Sequence, residues 1–172
     1  MAAQTAAVVV AFYSRCGHTE TLALAAAVGA VQGRSLIRLR RLLDTNGDAP
    51  MTAECEEAFV RMRKEYVPPT EKDVIGNAAL ILVPSPGATP ESSEWAEFSA
   101  MLARLGSAGQ LAGKVAAVVD TGGPETVRSF GSLLERVGLR RAQPDASVSP
   151  GDLARQATLT GRRVATEAQA GR

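Results

Sequence analysis

The stretch AAVVVAFYSRCGHTETLA, residues 6–23, decides the fold. Ala6 to Tyr13 is a continuous apolar run, the signature of a strand covered on both faces. Ser14, Gly17 and Thr19 follow at once, and from Thr19 to Val31 the chain is rich in Ala and Leu and free of proline. That segment predicts a helix with Gly33 as its stop signal. A buried strand therefore passes directly into a helix through a loop of hydroxyls and a glycine. A helix N-terminus carries partial positive charge and unpaired N–H groups, and glycine lets a ligand approach the backbone closely. Ser14 to Thr19 is thus a candidate phosphate cradle, with plain helix capping by Ser and Thr as the alternative. It lacks the lysine of a Walker loop and the G-x-G-x-x-G spacing of a dinucleotide fold.

The pattern repeats outward from this stretch. Leu36 to Arg40 alternates, as a half-exposed strand near a sheet edge does. Residues 44–52 are a loop by composition, after which Cys55, Phe59 and Met62 stand at helical spacing. Ala78–Val83 and Val115–Val119 read as buried strands. Trp95, Phe98, Leu102 and Leu105 stripe one helix; Val127, Phe130, Leu134 and Val137 mark another. Residues 139–148 make the weakest strand, restricted by Pro144, and Leu153, Ala157, Thr160 and Val164 line a last helix that frays from Ala168. Strands alternating with helices predict one α/β domain over residues 1–172, a doubly wound parallel sheet with helices on both faces. In such a sheet ligands bind beyond the carboxyl ends of the strands.

Composition narrows the function. Lys plus Arg is 19 and Asp plus Glu is 18, a net charge of +1 that gives no reason to expect nucleic acid or a membrane surface. No apolar run is long enough to span a bilayer, no basic segment precedes the first strand, and the expected location is the cytoplasm. Two cysteines make no disulfide framework, and with one histidine they lack metal-ligand spacing. Cys16 reads as an inert loop residue or a thiol activated by the helix start; Cys55 reads as core. Trp95 is core or a ligand-mouth residue, and His18 is a surface residue or a contact to the phosphate or ring edge through its N–H. The arginines at 34, 38, 40 and 41 read as a solvated strand edge, with an NADP phosphate or polyanion site as the alternative.

Ser-x-x-Gly-x-Thr after an apolar strand resembles the phosphate loop of flavodoxin-like proteins, which bind flavin mononucleotide (FMN). "YSRCGHTETLA" is most similar to the tryptophan-repressor-binding-protein-like NAD(P)H:quinone reductases. "ALILVPSPGATPES" (79–92), "LAGKVAAVVDTGGPETV" (111–127) and "TLTGRRVAT" (158–166) resemble, in order, that family's flavin loop, third loop and closing helix. The resemblance implies a five-stranded sheet in the order 2-1-3-4-5. It implies FMN held by Ser14, Arg15, Cys16, Gly17, His18 and Thr19 at the phosphate. Ser85, Pro86, Gly87, Ala88 and Thr89 would line the ring, and Thr121, Gly122 and Gly123 would close the far side. It also implies NAD(P)H as co-substrate, a quinone-like acceptor and a homo-oligomer, dimer or tetramer. Catalytic side chains are unknown, as suits a reaction whose chemistry the cofactor carries.

Two departures from the family pattern keep other classes open. No aromatic lies between Pro84 and Ser93, and Asp120 stands where a hydroxyl is common. Asp120 either repels the flavin or turns away to cap the next helix. The alternatives are a flavodoxin-like module with weak or no flavin binding, serving interaction or regulation, and a flavodoxin-type electron carrier. Such carriers are strongly acidic, which the net charge of +1 does not match.

Overall fold

The computed structural model describes residues 5–45, 49–143 and 151–171. In chain order the elements are β1 (Ala7–Phe12), α1 (His18–Gln32), β2 (Leu36–Arg41), α2 (Ala53–Glu65), α3 (Glu71–Gly76) and β3 (Ala79–Val83). Then follow α4 (Ser93–Ser107), β4 (Val115–Val118), α5 (Pro124–Arg136), β5 (Arg140–Arg141) and α6 (Leu153–Ala170). The strands form one parallel sheet in the order β2-β1-β3-β4-β5. That is the expected doubly wound order, and it puts the carboxyl ends of β1, β3 and β4 side by side: Phe12 pairs with Val83, and Leu82 with Val118.

The apolar runs explain the two layers. Side chains alternate across a strand, so β1 sends Val8, Val10 and Phe12 to one face and Val9 and Ala11 to the other. The first face is covered by α1, α6 and Met62 of α2; the second by Val74 of α3 and by α4 and α5. Helices α1 and α6 approach closely because their contact is built from small residues. A Cβ on Gly161 would lie 1.9 Å from the Ala26 carbonyl oxygen, and one on Gly29 would lie 1.8 Å from that of Thr158. The second core is aromatic at its centre: Trp95 is fully buried, with Phe130 at 4.8 Å and Phe98 at 6.1 Å between ring centroids. Trp95 is therefore core, not a ligand-mouth residue.

The structure corrects several expectations. The six-residue helix α3 was not expected; a capping box between Thr70 and Asp73 starts it in a polar stretch with no apolar period. The last helix does not fray at Ala168. Ala168 is buried, and Gln169 donates from Nε2 to the carbonyls of Gly33 and Arg34. Of the strand expected over 139–148, only Arg140–Arg141 pairs in the described part; residues 144–150, with Pro144, lie outside the described residues. The β2 arginines are not all solvated. Arg40 forms a two-pronged pair with Asp73, at 2.9 and 3.1 Å, and Arg41 is 5% exposed. Finally, Cys16 and Cys55 are joined by a disulfide across 39 residues, so neither is a free thiol. Helix α2 folds back over the β1–α1 loop and brings the two together, a proximity that sequence spacing does not reveal.

Candidate functional site

The loop that follows β1 turns on Gly17, which sits at the N-cap of α1 with φ +99°. Only glycine adopts that conformation without strain. Ser14 and Thr19 are buried, and Ser14 Oγ accepts from the Gly17 amide at 3.0 Å. Thr19 Oγ1 donates to Ser85 Oγ at 3.3 Å, and Ser85 donates in turn to the Tyr13 carbonyl at 2.9 Å. This relay ties the start of α1 to the loop after β3. That loop is tied to the one after β4: Thr121 Oγ1 donates to the Pro84 carbonyl at 2.6 Å, and the Gly87 amide donates to Thr126 Oγ1 at 3.1 Å.

The three loops thus meet at one end of the sheet. Their helices share a feature: α1, α4 and α5 begin with no side-chain cap. By contrast, Thr52, Thr70 and Asp152 cap α2, α3 and α6. Uncapped first-turn amides next to a buried serine and threonine can receive an anion, aided by the helix dipole.

Not every residue picked from the sequence turns toward this junction. Arg15 donates to the Ala49 carbonyl, and Cys16 is held in the disulfide. His18 is exposed at the first position of α1. Pro86, Gly87 and Thr89 are exposed, but the Ala88 side chain packs into the second core, and the Thr89 amide donates to Ser92 Oγ at 2.9 Å. Asp120 is turned onto its own loop: one carboxylate oxygen accepts from the amides of Gly122 and Gly123 at 2.8 and 3.1 Å.

Sequence reasoning missed what holds the loop from behind. Arg41 lies between the rings of Tyr13 and Phe59, at 5.3 and 5.4 Å, and meets both the Ser14 carbonyl and the Asp44 carboxylate. Glu20, in the first turn of α1, takes two hydrogen bonds from Arg61 of α2, at 2.6 and 3.0 Å. Burial works to raise the Glu20 pKa, but hydrogen bonds from Arg61 and Tyr66 outweigh it and hold the carboxyl below its usual range. Burial, with the nearby Asp44 carboxylate, pushes the Tyr13 hydroxyl up to about 12. Among the described residues, no cluster of three or more His, Cys, Asp or Glu side chains could hold a metal ion. No helix there is long and apolar enough to cross a membrane.

Comparison with solved structures agrees with this architecture. A WrbA-like flavodoxin from Agrobacterium tumefaciens superposes with a TM-score of 0.61 at 21% identity, covering 98% of this chain and 100% of the other. A diflavin flavoprotein A3 from Nostoc sp. gives 0.59 at 17% identity over 98% and 97% of the two chains. Flavodoxin from Megasphaera elsdenii gives 0.56 at 17% identity over 90% and 98%. The fold is flavodoxin-like, with a WrbA-like protein among its structural neighbours. Neither a protein-family model nor a curated protein matches the sequence.

Proposed function

We propose that the chain binds FMN at the junction of the three loops and acts as an NAD(P)H-dependent reductase of quinone-like acceptors, assembled as a dimer or tetramer. One observation carries the reading: the uncapped N-terminus of α1 brings together the buried hydroxyl of Ser14, the left-handed Gly17 and the buried hydroxyl of Thr19 in its own first turn. These groups fit a phosphate monoester. The amides of the first turn of α1 and the hydroxyls of Ser14 and Thr19 would hold it. The half-buried Arg15 and the exposed His18 flank the loop, though Arg15 first has to leave the Ala49 carbonyl. Arg41 supports the loop from behind, with its charge matched by Asp44. Backbone groups of Ser85 to Thr89 and of Thr121 to Gly123 would border the ring.

The fit is less complete at the ring end. The amides of Gly87, Gly122 and Gly123 already have partners inside the protein. A ring edge that needs them has to displace Thr126 or Asp120. When bound, the flavin supplies the hydride chemistry, and the protein supplies binding and position. The chain therefore holds FMN chiefly by its phosphate.

The same engagement favours a second reading, a flavin-free interaction module, in which Asp120 closes the loop permanently. A flavodoxin-type carrier is the weaker alternative, because a net charge of +1 gives little steering toward a basic partner. Oxidation of NADPH or NADH, followed by the loss of the reduced nicotinamide's absorbance, separates the three. The reductase needs FMN and a quinone and no partner protein. A carrier binds FMN but oxidises no nicotinamide, and the module does neither.

A further inference from the structure

We propose that Cys16 and Cys55 are a reversible thiol–disulfide pair that locks the β1–α1 loop to α2. The bond joins two helix starts. Cys16 immediately precedes Gly17, the N-cap of α1, and Cys55 is the third residue of α2, where its amide is already bonded to the Thr52 hydroxyl. Cys16 is exposed, whereas Cys55 is 7% exposed. One sulfur is thus open to a reagent while the other is sheltered as the leaving group. Each thiolate would form in the positive field of a helix N-terminus, which eases its departure. Glu54 and Glu56, in the first turn of α2, offset part of that field at Cys55.

The exchange balances with a small dithiol as reductant. One of its thiolates attacks Cys16 Sγ, the Cys16–Cys55 bond breaks, and Cys55 leaves as a thiolate. The second thiol of the reagent then attacks the reagent sulfur of the mixed disulfide and releases Cys16. Two electrons pass to the cysteine pair, the reagent becomes a cyclic disulfide, and its two protons end on the cysteines. A small-molecule disulfide reverses the reaction by the same steps.

What the bond controls follows from what remains without it. Helix α2 stays anchored through Met62 in the first core and through the Arg61–Glu20 pair, both beyond its first turn. Its first turn has only the bond to Cys16 to join it covalently to the loop; near Gly17 the neighbour is Ala58, whose Cβ lies 3.9 Å from where a Cβ would stand. Reduction therefore leaves the fold in place and loosens residues 15–17, whose Arg15–Ala49 and Gly17–Ser14 hydrogen bonds then hold without the covalent link, while Ser14 stays fixed by Arg41. Because ordering a loop in advance strengthens binding, reduction is expected to weaken FMN binding by about threefold to tenfold. That last consequence alone rests on the flavin reading.

The test uses the full chain without ligand. Thiol alkylation followed by mass measurement counts free cysteines before and after treatment with dithiothreitol and after reoxidation by a small-molecule disulfide. Hydrogen exchange is read in each state. The expected result is zero, two and zero alkylated cysteines, with exchange at residues 14–20 faster by about tenfold or more on reduction and unchanged in β1 and β3. Cys55→Ser should exchange fast at 14–20 whether or not dithiol is present. Two free thiols in the oxidant-treated protein overturn the proposal. So does equal loop exchange in both states, or reduction only when β1 and β3 also lose protection. If FMN binds neither state, the flavin reading fails while these readouts still decide the switch.

Discussion

Arg41 donates two hydrogen bonds to the carbonyl of Ser14, from Nε at 3.1 Å and from Nη2 at 2.8 Å. The same guanidinium holds both carboxylate oxygens of Asp44, at 2.7 and 3.0 Å. The last residue of β2 thereby fixes the first residue of the loop after β1. Its side chain is 4% exposed and that of Asp44 is 14%, so the pair is largely withdrawn from water. Arg41→Met leaves Asp44 with only the longer ion pair to Arg63, at 3.8 Å, and the Ser14 carbonyl without these donors. The expected loss is about 3–5 kcal/mol of stability, read by urea denaturation. Arg41→Lys keeps the charge but not the fork, and should fall between the two. Equal stability of all three would mean that the guanidinium holds nothing.

Gly17 is required by conformation rather than by space. At φ +99° an added Cβ meets nothing nearer than 3.9 Å. Gly17→Ala should therefore cost about 1–2 kcal/mol, from backbone strain alone. Gly17→Val should bind FMN at least about tenfold more weakly, because relief of the strain moves the first amides of α1. Titration of the purified variants with FMN checks this; an unchanged affinity puts the site elsewhere.

Asp120 competes with the ligand for the amides of Gly122 and Gly123. Asp120→Ala removes the competing acceptor and its charge. FMN binding should tighten by about tenfold, the scale of one charged hydrogen bond. Weaker binding by the variant would show that Asp120 orders the loop for the ligand instead of obstructing it.

The alternation of strands and helices was legible because its cause is local. Val8 to Phe12 and Ala79 to Val83 are apolar at every position, since both faces of the central strands are covered. The Ser14–Thr19 loop was legible for the same reason: strand, glycine and hydroxyls are contiguous. Arg41 was not. Its charge suggested solvent, and its burial depends on Ser14, 27 residues away. The disulfide spans 39 residues and exists only because α2 returns over the loop. For Asp120 the sequence leaves two directions open, and the amides of Gly122 and Gly123, two and three residues on, turn it onto its own loop.

Stability should fall in acid. The Glu20 and Asp73 carboxyls lie below their ordinary values of 4.5 and 3.8. In each, burial acts to raise the pKa, and hydrogen bonds from Arg61 and Tyr66, or from Arg40 and Thr70, outweigh it. A depressed pKa adds stability that is full above the unfolded-state value and is lost as pH falls through the folded one. Tyr13 acts oppositely. Its pKa of about 12 against an ordinary 10.0 gives stability that is full below pH 10 and lost as pH rises toward 12. Thermal melts from pH 2 to 12 should show a plateau between these two flanks (about pH 5–10). Arg61→Gln should flatten the acid side, and an acid flank identical in this variant would remove Glu20 from the account.

The central claim is that this chain holds FMN by its phosphate at the Ser14–Thr19 loop, without an aromatic over the ring. Trp95, the one tryptophan, is sealed in the second core and cannot supply that cover. A stacked aromatic is worth about 1 kcal/mol, so its absence predicts affinity about fivefold to tenfold below that of relatives that have one. The decisive measurement is calorimetric titration of the unmodified protein with FMN, repeated in the presence of inorganic phosphate. The account predicts one saturable site of about micromolar affinity, weakened by phosphate, in a protein that purifies colourless and turns yellow when FMN is added. No heat and no shift in flavin absorbance at about millimolar FMN would contradict it.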